Sequence, residues 1–430
     1  MKTIQSLFLS ASLLFCSQAA AETSTDGILI TNSNLVDVID GKFLKDQTIV
    51  IQGNKIIYVG SKKNAPEGNW KSIDLKGATL LPGLSDSHVH LTSNANDHGY
   101  RRLAVSTPRS AINGVKNANK TLLAGFTSVR NLGAPGYADI ALKEAIDDGT
   151  VIGPRIIASG PSIGITGGHC DSNLLPFEYK QKAEGVADGP WAVRTKVRQN
   201  NKYGAEVIKF CGTGGVLSKG TKLGAQQFTQ EEMSAIVDEA HLLGLKVAVH
   251  AHGSSGIATA LNAGVDSIEH ASMITDAAIE QAVEQGTYLS MDIYVSDFIL
   301  SEGEKAGILE ESLAKERKVG RIQRERFQAA VKAGANIAYG TDAGVYTHGL
   351  NGRQFKKMVK WGMSPMQAIQ ASTIGNATLF GTQDMTGSIE VGKYADIIAV
   401  PQNPLKDVTE LEHVDFVMKD GVIYKNELSE

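Results

Sequence analysis

Eight short apolar runs alternate with amphipathic stretches through the middle of this 430-residue chain. They end at His88-Val89-His90, Ser128-Val129-Arg130, Ile156-Ile157-Ala158 and Val207-Ile208-Lys209. The other four end at Val247-Ala248-Val249-His250, Ser267-Ile268-Glu269-His270, Tyr288-Leu289-Ser290-Met291 and Ile337-Ala338-Tyr339-Gly340. Helical patterns such as residues 231–243 and 321–333 separate several of them. Eight strand–helix units in about 290 residues predict a (β/α)8 barrel.

Both flanks read differently. Residues 27–81 hold β-branched runs at 28–30, 48–51, 55–59 and 79–81, punctuated by Gly41, Gly53-Asn54 and Gly60. Residues 395–400, 414–418 and 421–424 repeat that pattern at the far end. The two segments are expected to pair into a small β-sandwich. The expected organisation is α/β: a leader at 1–21, sandwich at 22–81, a barrel at 82–382 and sandwich again at 383–430.

In such a barrel the carboxyl ends of the strands carry the active site. Of the ten histidines, His88, His90, His250 and His270 fall there. His88 and His90 are two apart on a strand, so both rings point the same way and can grip one ion. Lys209 ends the apolar run Val207-Ile208-Lys209-Phe210, where a charge is costly unless used. A lysine amine depressed toward neutrality can take up CO2 as a carbamate, and that anion can bridge two cations. Asp342 follows the eighth run, between Gly340 and Gly344. A carboxylate there can ligate a metal and take a proton from its water.

Together these residues resemble the amidohydrolase superfamily. The motifs that carry the likeness are Leu81-Pro82-Gly83-Leu84-x-Asp86-x-His88-x-His90, Lys209, His250, His270 and Thr341-Asp342-Ala343-Gly344. The tail Gly387-Ser388-Ile389-Glu390-x-Gly392-Lys393-Tyr394-Ala395-Asp396 extends it, so that it spans about residues 27–425. Within the superfamily the chain is most similar to the imidazolonepropionase-related bacterial dipeptidases. Gly167-Gly168-His169-Cys170-Asp171, Lys209 and Ser290-Met291-Asp292-Ile293-Tyr294 look nearest the arginine/lysine carboxypeptidase-type members.

The resemblance implies a distorted barrel with a β-sandwich, two divalent metal ions, zinc as a rule, and hydrolysis of dipeptides or N-acyl amino acids. His88, His90 and Asp342 would hold one ion and His250 and His270 the other, with carbamylated Lys209 and a hydroxide between them. Two dications against carbamate, carboxylate and hydroxide leave the centre near about +1, suited to an anionic substrate and a developing oxyanion. The hydroxide would attack the amide and Asp342 would carry its proton to the leaving amine. His169 would touch the tetrahedral oxygen. His252 would bond the substrate's α-carboxylate, where proline-type members tend to have Tyr. Asp292 and Asp297, in the loop after the seventh strand, would line a pocket for a C-terminal Arg or Lys. The rival substrates are Xaa-Pro dipeptides or a broader set of N-acyl amino acids. A mononuclear deaminase is disfavoured by Ala251-His252-Gly253 and by Lys209, and a metal-free binding protein by the complete ligand set.

Lys2, an apolar run over 7–15 and Ala19-Ala20-Ala21 read as a signal peptide cleaved after Ala21, and hence as an exported, periplasmic protein. Beyond Cys16 only Cys170 and Cys211 remain, free or paired. Lys and Arg total 42 against 46 acids, which offers no basic surface for nucleic acid. No other run is long enough to span a membrane. A small-molecule substrate is the expected partner, with a homo-oligomer as the assembly.

Overall fold

The computed structural model describes residues 26–428, so the expected leader lies outside the described residues. The N-terminal segment forms β1 (Gly27–Asp37), β2 (Lys42–Gln52), β3 (Lys55–Gly60), β4 (Trp70–Asp74) and β5 (Thr79–Pro82). β4 was not among the expected strands. It has no apolar run, only Ile73 turned inward, and it is held by parallel pairing to β1 at Gly27↔Trp70 through Thr31↔Asp74.

The barrel strands are β6 (Leu84–Val89), β7 (Phe126–Asn131), β8 (Arg155–Ala158), β9 (Val207–Cys211), β10 (Lys246–Ala251), β11 (Ser267–His270), β12 (Tyr288–Ser290) and β13 (Ile337–Ala338). They coincide with the eight apolar runs. Helices α1 (Thr107–Leu123), α2 (Ala138–Asp147), α3 (Pro190–Lys202), α4 (Gln230–Leu242), α5 (Ser254–Ala263), α6 (Asp276–Gln285), α7 (Val295–Ala306) and α8 (Glu310–Lys332) lie between them. Thr229 and Glu232 close a capping box at the start of α4. α8 begins at Glu310 rather than at Arg321. Its first half is rich in charge, and only Leu313 and Val319 mark the apolar face there.

The barrel is parallel but not evenly bonded. β9 to β13 form one sheet and β6 to β8 another. One seam is closed by Ser87 N donating to Tyr339 O and His90 N to Ala343 O, each at 2.7 Å. At the other, β8 and β9 meet through Glu206 N to Ala158 O, Ile163 N to Lys209 O (both 2.8 Å) and Cys211 N to Ile163 O (2.9 Å). A disulfide joins Cys170 to Cys211 at this second seam, with Cα atoms 5.9 Å apart.

Three further strands, β14 (Ile397–Val400), β15 (Phe416–Lys419) and β16 (Val422–Asn426), return to the N-terminal segment. β14 pairs antiparallel with β5, from Ile397↔Pro82 to Val400↔Thr79. The two ends of the chain thus build one mixed sheet of order β16-β15-β14-β5-β1-β2-β3, with β4 also on β1. Ile30, Ile49, Ile56, Leu80, Ile397 and Phe416 share its apolar core. The whole is an α/β barrel with a β-rich domain made from both termini. No helix among the described residues is long and apolar enough to cross a membrane.

Candidate metal centre

The strand ends converge on a cavity of about 600 Å³. His88, His90, Lys209, His250, His270 and Asp342 all line it, as do His169, His252 and Asp292. His88, His90 and Asp342 offer ligand atoms within 4.8 Å of one another. His250, His252 and His270 form a second such group, and His270, Asp292 and Asp342 a third that connects them. Asp342 Oδ1 lies 3.2 Å from His90 Nε2 and 3.7 Å from His88 Nε2.

The backbone is held in uncommon conformations to achieve this. His270 (φ 71°) and Asp342 (φ 57°) are both left-handed, at a cost of about 1–3 kcal/mol each, which the surrounding structure must offset. Asp342 is fixed by its own N–H donating to His88 O at 2.8 Å. The turn after it needs Gly344: its φ is 117°, and a Cβ there would lie 2.7 Å from His90 O.

Burial controls the charges. It depresses the His88 imidazole to about 4, with the Lys209 charge adding to the effect. It pushes His250 and His252 well below their ordinary value, helped by neighbouring imidazoles. Neutral rings are the form that binds metal. Burial also lowers the Lys209 amine to about 8, bringing it within reach of a neutral, nucleophilic form. For Asp342, burial acts upward, but the His90 hydrogen bond and the surrounding histidines outweigh it and keep the carboxylate ionised. The donor set of imidazoles and carboxylates fits a divalent transition metal such as zinc. His250 Nε2, moreover, is buried with no hydrogen-bond partner among the described residues, as a metal-directed nitrogen would be.

Two histidines form a second tier. His169 stacks on His250 with ring centroids 4.0 Å apart, and its Nδ1 pairs with Ser218 Oγ at 2.8 Å. His252 stacks on His270 at 4.7 Å, and its Nδ1 pairs with Ser272 Oγ at 2.7 Å. In each ring Nε2 is the nitrogen left for a ligand. His252 thus reaches as close to the centre as the residues expected to bind metal.

The expected cationic pocket needs correcting. Asp292 stands behind His270: its Oδ1 is 2.9 Å from His270 Nδ1 and accepts from Gln323 Nε2 at 2.9 Å. It orients the imidazole, and it also lines the cavity. Asp297 is not among the cavity-lining residues. Its carboxylate is taken by Arg324, at 2.6 Å, and by Lys357. Both cations come from distant segments, which a loop read in isolation does not reveal.

Three supporting residues have no role assigned from the sequence, Asp86 standing there only as part of a motif. Arg130 is fully buried and donates to Ser87 O (2.7 Å), Ser267 Oγ (3.0 Å) and Glu269 (2.7 Å). Glu269 Oε2 in turn lies 3.2 Å from His88 Nδ1. Asp86 accepts from His88 N, Thr341 N, Thr341 Oγ1 and Asn351 Nδ2, tying the first strand to the Asp342 turn. Arg130 and Glu269 each place a charge in an apolar run, the same signal that singled out Lys209.

Comparison with known proteins places this geometry in context. Residues 79–424 match the model of the amidohydrolase family. The ochratoxinase of Aspergillus niger is 32% identical, over 94% of this chain and 88% of its own. A crystal structure of a Xaa-Pro dipeptidase with methionine bound in the active site superposes with a TM-score of 0.88 at 39% identity. It covers 93% of this chain and 100% of that one. A prolidase complexed with N-methylphosphonate-L-proline gives 0.85 at 29% identity, with the same coverage of each chain.

Proposed function

The chain belongs to the amidohydrolase family, and from that footing we propose that it is an exported, binuclear-metal hydrolase. It would cleave the amide bond of dipeptides or N-acyl amino acids, with Arg or Lys as the preferred leaving residue. The observation that carries the reading is the meeting of His88, His90, Lys209, His250, His270 and Asp342 at one cavity. His88, His90 and Asp342 would hold one ion, and His250 and His270 the other, with Lys209 as its carbamate between them. Bound zinc would acidify water and polarise the scissile carbonyl.

The chain's own groups would do the rest. Ionised Asp342 is placed to accept a proton and return it to the leaving amine. His169, fixed by Ser218, presents Nε2 to the oxygen on which charge develops. His252, fixed by Ser272, presents Nε2 to the α-carboxylate of the substrate. Arg130 and Glu269 hold His88 from beneath. The likeness to an ochratoxinase supports amide hydrolysis. The likeness to a Xaa-Pro dipeptidase favours a second reading, in which proline is the leaving residue.

The test is a zinc-loaded, leader-free protein assayed on X-Arg, X-Lys, X-Pro and X-hydrophobic dipeptides and matching N-acetyl amino acids. Highest kcat/KM on Arg or Lys supports the first reading. Highest kcat/KM on Pro moves the assignment to the second. No cleavage with two metals bound discards the peptide substrate. Export to the periplasm predicts a mature N-terminus at Glu22 in secreted material, readable by mass spectrometry. The homo-oligomer predicts a mass above one chain by light scattering.

A further inference from the structure

Four residues of α8, Ser312, Glu316, Val319 and Gln323, share one helical stripe and line the cavity. Gln323 marks its metal end, donating to His270 O at 3.2 Å and to Asp292. Glu316 lies seven positions earlier, about 10 Å along the axis. Val295 and Ile299 of α7 form part of the same cavity wall, so the carboxyl sits beside apolar surface.

Glu316 is 4% exposed, and its one hydrogen bond among the described residues is from Ser296 Oγ. No Lys, Arg or His nitrogen of the described residues forms an ion pair with it. Of the two groups whose positive charge would act on it, Arg324 is committed to Ile293 O and Asp297, and His270 to Asp292. Burial raises the Glu316 carboxyl above its usual range. Other buried acids are compensated. Glu269 pairs with Arg130, Asp396 with Arg155 and Glu239 with Arg194 and Arg198. Asp86 instead has four donors. A buried carboxyl held by one hydroxyl and open to a cavity is costly unless something binds it.

Resting on the amide-hydrolase reading above, we infer that Glu316 is the specificity-determining residue. Its carboxylate receives the ammonium or guanidinium group of the leaving residue's side chain, the role first expected of Asp292 and Asp297. The span is of the same scale as that helical separation: from a scissile carbon to an extended lysine ammonium is roughly 9 Å. A proline or alanine side chain would stop short of it. Val295, Ile299 and Val319 would cover the aliphatic stem.

The experiment compares the full zinc-loaded protein on Gly-Lys and Gly-norleucine, which differ only in that norleucine carries a hydrogen where lysine carries its terminal ammonium. The wild type is expected to favour Gly-Lys by about 10- to 100-fold in kcat/KM, the scale of one charged hydrogen bond. Glu316→Gln should remove most of that ratio, chiefly through KM, and Glu316→Lys should turn the preference toward Gly-Glu, which a merely structural residue would not do. Equal use of Gly-Lys and Gly-norleucine by the wild type overturns the assignment while leaving amide hydrolysis intact. So does an unchanged ratio in folded Glu316→Gln. Failure of the wild type to cleave either peptide while it cleaves X-Pro or N-acetyl substrates overturns this assignment and leaves amide hydrolysis intact; failure on that whole panel overturns both.

Discussion

The two sides of the centre are held by different means. His88 rests on charge: Glu269 and Arg130 lie beneath it, fully buried, on β11 and β7, strands of different sheets whose side chains meet inside the barrel. His169 and His252 rest on hydroxyls, Ser218 and Ser272, which belong to the loops beyond the strand ends. A buried ion pair tolerates little displacement, because either partner alone is left as an uncompensated charge. A serine hydroxyl rotates to suit its partner. The strand-backed side is thus built to hold ions still, and the loop-backed side to adapt to what the ions act on.

The sharpest way to break this contrast is at Asp342. Asp342→Asn removes both a metal-directed oxygen and the proton carrier, so kcat should fall by about 10⁴-fold. A fall below tenfold would take the residue out of the chemistry. Next comes Arg130→Met, which leaves Glu269 buried and unpaired. It should destabilise the protein by about 3–5 kcal/mol in urea unfolding and lower the bound metal content. A loss under about 1 kcal/mol would mean that charge is not what holds the strand side. Ser218→Ala should be milder, about 1 kcal/mol, read as a several-fold drop in kcat/KM with metal content unchanged. Loss of metal in that variant would erase the distinction between the two sides. The smallest effect is expected at Asp297→Ala. Its carboxylate is already occupied by Arg324 and Lys357, so the Lys-over-norleucine ratio should stay within about twofold. A collapse of that ratio would return the pocket to Asp297.

What could be read from the residues alone follows the same division. Strand ends were legible because apolar runs are local, and even the two-residue β13 announced itself through Ile337 to Tyr339. His88, His90, Lys209, His250, His270 and Asp342 were legible because polar groups at those ends are costly without a use. Arg130 and Glu269 carried that signal and were overlooked, since a charge pair between strands of different sheets is visible only once the barrel has closed. The seams of the barrel were illegible, because the hydrogen bonds that close them involve residues beyond the strands, such as Ile163 and Ala343. So were the partners of Asp297, which come from α8 and beyond. Glu316 lies in the stretch Glu310-Glu311-Ser312-Leu313-Ala314-Lys315-Glu316-Arg317-Lys318, where one acid among many has nothing to mark it as the one turned inward.

The disulfide at the β8–β9 seam has a practical consequence. It ties the loop bearing His169 to the strand bearing Lys209 across one of the two seams where adjacent barrel strands share few backbone bonds. Its closed loop spans 41 positions, which in chain-entropy terms corresponds to about 3–4 kcal/mol. Heat tolerance and shelf life would then follow the oxidation history of a preparation: material made in a reducing cytosol would carry the same fold with a looser wall at the active site than material matured where thiols are oxidised.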